Sequence, residues 1–145
     1  MAENRIGEIR RINCLTSEMD ALYHQASVKM GISDSVSIIL YNLYDAGGAC
    51  LLQQICKASG ISKQTLNSGL RTLEARGLLR LEQHNGRSKR VVLTKAGQEF
   101  AQRTVARLFQ AEMDALNGWT EAEVRAYVEL QEKYAVCFRQ QIEKL

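Results

Sequence analysis

Gln64, Ser68 and Arg71 recur at intervals of four and three residues, so a helix would carry them along one line. Their chemistry is that of hydrogen bonding without excess charge. Gln and Asn pair bidentately with adenine and Arg with guanine, so such a line can read base edges in duplex DNA. On a helical wheel the same face carries Thr72 and Ala75, with Thr65 and Asn67 at its flanks. Leu66, Leu70 and Leu73 fall on the other side within about 60° of one another, a stripe for burial. A helix that is merely solvated would more often show Glu and Lys on its outer face.

Three further cations follow: Arg87, Lys89 and Arg90. Leu79 and Leu81, then Val91 and Leu93, alternate with polar residues, the period of half-buried strands. Between them stands Asn85-Gly86, a strong turn signal. Residues 78–94 therefore predict a β-hairpin with a basic tip. Arg87 is the candidate for a minor groove, where the negative potential is strong. Lys63, Lys89 and Arg90 are candidates for phosphate, while Gln64, Thr65, Ser68 and Arg71 are candidates for bases.

The charge distribution agrees. Net charge is only +3 over 145 residues, but residues 57–90 hold eight basic and two acidic side chains. A basic middle between mildly acidic ends points to a polyanionic partner for the middle alone.

The elements that must position these groups are mostly helical. The chain has no proline, and glycines supply the breaks. Ile6, Ile9, Ile12, Leu15, Met19, Leu22 and Ala26 give a first helix over 3–30 an apolar stripe, with Gly31 at its end. That helix is longer than a compact domain of this size needs. Asp34 or Ser35 is expected to cap a second helix through Tyr44, with Val36, Ile39, Leu40 and Leu43 inward. After Gly47-Gly48, a short extended piece, Ala49-Cys50, leads into a third helix over 51–58, closed by Gly60. Ser62 caps the fourth helix, which runs to Gly77. Thr94 caps a fifth over 95–116. Thr120 and Glu123 form a capping box opening a sixth, with Val124, Tyr127, Leu130, Tyr134, Cys137 and Phe138 on one side. The order helix, tight turn, helix, basic hairpin describes a winged helix-turn-helix. The expected class is mainly α with a small β-hairpin and about six helices.

The run LLQQICKASGISKQTLNSGLRTLEARGLLRLEQHNGRSKRVVLTKAGQEF resembles the MarR family of bacterial winged-helix transcriptional regulators. The matching features are GIS-x-x-T before the reading helix, LE-x-x-GL at its end and R-x-K-x-x-x-LT-x-x-G across the wing. The resemblance implies a homodimer built from helices in 1–32 and 96–145, with a winged DNA-binding domain over 34–95. It also implies a pseudo-palindromic operator, regulation that is typically repression, and in many members release by a small, often aromatic, effector. Tyr23, His24, Tyr41, Tyr44 and Trp119 could line an effector crevice, or serve as core and interface aromatics. One branch of the family senses peroxides through a cysteine early in the first helix, which makes Cys14 a candidate redox residue. In one place the chain departs from the family: Asn85-Gly86-Arg87 stands where an Asp-x-Arg pattern is usual, so the wing lacks the acid that steadies it by charge pairing.

Other classes find little support. Two histidines, no nucleophile motif, no glycine-rich phosphate loop and no paired carboxylates argue against an enzyme. Cys14, Cys50, Cys56 and Cys137 lack metal-ligand spacing, so neither metal nor cofactor is expected, and the thiols should be free and mostly buried. The first residues do not read as a secretory signal and no apolar run spans a bilayer, so a cytoplasmic location without membrane contact is expected. The competing reading is a winged helix that serves as a protein-interaction module without reading DNA directly.

Overall fold

The computed structural model describes residues 2–145, with side chains from Arg5 onward. The chain forms two compact units, residues 1–109 and 110–145. Helix α1 spans Ala2–Met30, α2 Asp34–Asp45, α3 Leu52–Ser59 and α4 Lys63–Ala75. Strands β1 (Ala49–Leu51), β2 (Leu79–Gln83) and β3 (Lys89–Leu93) are followed by α5 (Lys95–Arg103), α6 (Val105–Ala115) and α7 (Glu121–Ile142). The architecture is the expected mainly α winged helix.

The core of the first unit gathers inward residues of helices α2 to α6 and of the sheet. Val36, Ile39, Leu40 and Leu43 of α2 meet Ile55 of α3, Leu66, Leu70 and Leu73 of α4, and Leu79, Val91 and Leu93 of the hairpin. These side chains are almost completely removed from water. Each contributes about 1.5–3 kcal/mol relative to remaining exposed. Ile61 packs against this cluster from the turn before α4, as its place in the sequence suggested.

Three local expectations change. Ser33, not Asp34 or Ser35, caps α2: its hydroxyl accepts from the Val36 amide at 3.2 Å. Asp34 instead accepts from His24 Nδ1 at 2.9 Å, a contact ten residues back on α1. That hydrogen bond holds the Asp34 carboxyl below its ordinary value. The extended piece before α3 includes Leu51 and is a strand of the sheet, in the order β1-β3-β2, with Cys50 opposite Val91 and Leu51 opposite Arg90. Helix α3 thus starts at Leu52, and the Gln54 side chain reaches back to accept from the Leu51 amide at 2.8 Å.

The fifth helix is interrupted at Thr104, giving α5 and α6. Buried Thr104 donates its hydroxyl to the Phe100 carbonyl at 2.8 Å. Its amide bonds to Ala101, three residues back, at 3.2 Å. A threonine hydroxyl that takes the i−4 carbonyl competes with the helical ladder and bends it.

In the second unit Thr120 and Glu123 cap α7 reciprocally, at 2.8 and 3.2 Å. Tyr127, Leu130, Tyr134 and Phe138 lie exposed along it at intervals of three and four residues. On α1 the stripe from Ile6 through Leu22 is likewise exposed, about half in contact with water. Among the described residues no helix is long and apolar enough to cross a membrane.

The root of the hairpin is fixed at one close approach. A Cβ on Gly97 would sit 1.8 Å from the Leu78 carbonyl oxygen. Gly97→Ala is therefore expected to destabilise the fold by about 1–3 kcal/mol or more, since backbone cannot yield as a side chain can. Gly118→Ala, with nothing within 4 Å of the added carbon, should be nearly neutral. Urea unfolding of both variants against the parent checks this; equal midpoints would contradict it.

Candidate nucleic-acid interface

Helix α4 is presented by the turn that precedes it. Gly60 ends α3 in the left-handed region at φ 67°, where a side chain would be costly. Ser62 then accepts from the Thr65 amide at 3.2 Å and donates to the Thr65 hydroxyl at 2.9 Å. Thr65 is thus part of the cap. Its hydroxyl is partly spent on positioning the helix rather than standing free for a base.

Beyond the cap, Gln64, Asn67, Ser68, Arg71 and Thr72 line one open hollow of about 670 Å³. The sequence placed Asn67 at the flank of this face; the structure brings it into the same hollow. Thr72 donates its hydroxyl to the Ser68 carbonyl at 3.1 Å, so its outer surface is mainly a methyl group and an acceptor oxygen. Among the described residues no carboxylate pairs with Arg71.

A second hollow, about 440 Å³, lies between the start of α4, helix α3 and the wing. Lys63, Arg87 and Lys89 line it, with Asn67, Gln53 and Ser88, over a floor of Leu52, Cys56 and Leu66. Three cations without a carboxylate make a surface of positive potential. Gln53 was not among the sequence candidates. Its signal was slight: an exposed amide in the first turn of a short helix.

The wing separates cations that the sequence grouped together. Leu81 pairs with Val91 and Gln83 with Lys89, while Arg80 pairs with Val92 and Glu82 with Arg90. Opposed residues share a face and neighbours along a strand do not. Lys89 therefore faces the α4 side, and Arg90 the other. On that outer side Glu82 meets Arg80 at 3.0 Å and Arg90 at 3.8 Å. Arg76, also within the basic stretch, lies 4.7 Å from the centre of the Phe100 ring. The basic middle of the chain is thus divided: Lys63, Arg71, Arg87 and Lys89 stand without a carboxylate partner among the described residues, whereas Arg76, Arg80 and Arg90 are engaged.

The tip is closed by backbone and amide contacts. The Ser88 amide donates to the Asn85 carbonyl at 2.8 Å and the His84 amide to Ser88 at 3.0 Å. Gly86 takes φ 50°, as the first central residue of a type II′ turn requires. The Gln83 side chain donates to the Gly86 carbonyl. A loop lacking the expected acid is therefore held by a neutral side chain, which sequence reasoning missed because the donor lies outside the turn.

The sequence profile of the MarR family matches residues 30–90, a span that contains α2, the turn, α4 and most of the wing. Over that span the chain resembles the MarR family. Solved structures with the same fold extend the likeness along the chain. A MarR family regulator from Neisseria meningitidis superposes with a TM-score of 0.81 at 15% identity, covering 95% of this chain and 99% of that one. A putative MarR family transcriptional regulator from Listeria monocytogenes, solved with a 26mer DNA, gives 0.70 at 19% identity over 92% and 89%. Bordetella bronchiseptica BpsR, whose structure concerns regulation of its DNA binding by 6-hydroxynicotinic acid, gives 0.62 at 27% identity over 86% and 90%. No curated protein matches the sequence.

The aromatic side chains named as effector candidates make the following contacts within each unit. Tyr41 and Tyr44 pack on Phe109, with ring centres 5.8 and 5.9 Å away. Trp119 packs edge-on against Tyr127 in the second unit. Tyr23 and His24 border a hollow of about 400 Å³ with Ser27, Asp34 and Ser37. The thiols also differ from expectation, since Cys14 and Cys137 are exposed and only Cys50 and Cys56 are partly buried. Burial raises the Cys50 thiol above its ordinary value. Among the described residues no cluster could hold a metal ion.

Gln83→Ala should leave thermal stability nearly unchanged, because the residue is exposed. It should also weaken duplex binding several-fold by releasing Arg87 from a fixed loop. Melting and anisotropy titrations measured side by side test this; a parental affinity would show that the amide does not order the tip.

Proposed function

We propose that this chain is a MarR family transcriptional regulator, a sequence-specific repressor that binds a pseudo-palindromic operator as a homodimer. The observation that carries the reading is the outer face of α4. Gln64, Asn67, Ser68, Arg71 and Thr72 share one hollow, beside a cleft lined by Lys63, Arg87 and Lys89. The first set supplies donors and acceptors for base edges, and the second supplies charge for phosphate. Ser62 orients α4, Thr65 completes its cap, and Arg90 contributes from the wing's other face.

Dimerisation through helices in 1–32 and 96–145, around a reading head at 34–95, is supported by the exposed apolar stripes of α1 and α7. Stripes of that length are costly to leave in water. Two heads related by a two-fold axis would meet successive major grooves. Control by a small aromatic molecule is supported by BpsR, whose DNA binding 6-hydroxynicotinic acid regulates, and by the hollow beside Tyr23 and His24. Redox control through Cys14 is a second route, supported by that thiol's exposure on α1. Among the described residues no feature calls for a cofactor or for catalysis, and the proposed place of action is the cytoplasm.

The test is binding to the duplex upstream of the chain's own gene, measured across salt concentrations. Specific binding with a log–log slope of several units is expected. Arg71→Ala should cost about 1–3 kcal/mol on the operator and relax specificity. Lys63→Ala should weaken operator and unrelated duplex alike and lower the slope by about 0.9. Absence of duplex binding, with both variants indistinguishable from the parent, would favour the protein-interaction module instead. Sedimentation of Leu15→Glu is expected to show loss of the dimer.

A further inference from the structure

The wing has two faces of different electrostatic character. Toward α4, Lys89 and Arg87 join Lys63 around a hollow with no carboxylate. On the outer face, the Glu82 carboxylate lies between two guanidiniums, 3.0 Å from Arg80 Nε and 3.8 Å from Arg90 Nη1. The register puts Glu82 directly opposite Arg90, and Arg80 is two residues along the same strand. One acid thus holds both outer cations of the hairpin, using one oxygen for each. All three side chains are partly exposed, so phosphate can compete for the arginines.

A hairpin inserted in a groove turns one face to each wall, and each wall is a row of phosphates. The α4-facing cations are available to any duplex. The outer cations must first leave Glu82. We propose that Glu82 is a specificity-determining residue: it withholds Arg80 and Arg90 from phosphate, so that duplex DNA without the operator sequence is gripped by one face of the wing only. This inference rests on the reading of the chain as a DNA-binding regulator. It assigns the wing acid a role different from bracing the loop, because Gln83, not Glu82, ties the tip.

The experiment is a salt titration of binding to an unrelated mixed-sequence duplex, using the full chain. Glu82→Gln frees two cations. Its log–log slope should steepen by about one to two units. That equals roughly a four- to sixteen-fold larger loss of affinity over a fourfold rise in salt. At low salt the variant should bind the unrelated duplex more tightly and lose discrimination for the operator. Glu82→Asp, which keeps the charge, should hold the parental slope. Glu99→Gln, on exposed α5, matches the change in net charge and should not steepen it. Adding Arg80→Gln and Arg90→Gln to Glu82→Gln should remove the gain.

An unchanged slope in Glu82→Gln overturns the proposal, and so does a gain that survives loss of both arginines. If the parent binds no duplex at any salt, the regulator reading fails and this inference falls with it. If the parent binds and discriminates while Glu82→Gln behaves identically, only the gate fails.

Discussion

The geometry of α4 and the wing depends on one crowded junction. The end of α4, the start of β2 and the start of α5 meet at Gly77 and Leu78. Thr94 donates its hydroxyl to the Gly77 carbonyl at 2.7 Å and its amide to the Leu78 carbonyl at 3.1 Å. It also caps α5 by accepting from the Gly97 amide at 3.0 Å. Gly97 is small enough to let the helix lie against the Leu78 backbone. Four peptide groups are satisfied in one place, and the angle between α4 and the wing follows from it. The cations at the far end of the hairpin reach the cleft beside Lys63 only because this root is fixed.

From that root the hairpin's alternation does the sorting. Leu79, Val91 and Leu93 go into the core, and every second residue must then face away from it. The same parity that buries the leucines sends Lys89 to one side and Arg90 to the other. Charge placement on the wing is thus a by-product of core packing. A regulator of this kind needs phosphate grip and base discrimination at once, and grip alone favours every duplex equally. Unpaired cations on one face and two arginines sharing one carboxylate on the other let the fold supply charge without making all of it available.

Much of this was legible in the sequence, because the strongest signals are local. The leucine spacing of α4 gave both its buried stripe and its polar face, and Ser62 and Thr120 marked their helix starts. The MarR-like motifs lie in that same continuous stretch. What escaped was set by distant partners. Ser33 takes the cap of α2, while Asp34, in the first turn, is held by His24. A three-residue strand at Ala49–Leu51 carries too little pattern to be told from a loop before β3 pairs with it. The break at Thr104 depends on burial of one hydroxyl. At the interface, Lys89 and Arg90 look alike in a list of charges, and strand parity separates them only once the register is known. The family's usual wing acid is absent at Asn85, and nothing nearby announced that Gln83 would close the loop.

The sheet order places β2 at an edge. An edge strand of five residues exposes a row of unpaired amides and carbonyls, a template on which another chain could add a strand. Its outward side chains are Arg80 and Glu82, held in an ion pair, and the opposite edge, β1, is only three residues long. A neighbouring strand seeking to zip onto β2 would meet charges of both signs and would have to desolvate them. The arrangement that tempers the wing's grip on phosphate thus also guards the sheet against edge-to-edge aggregation.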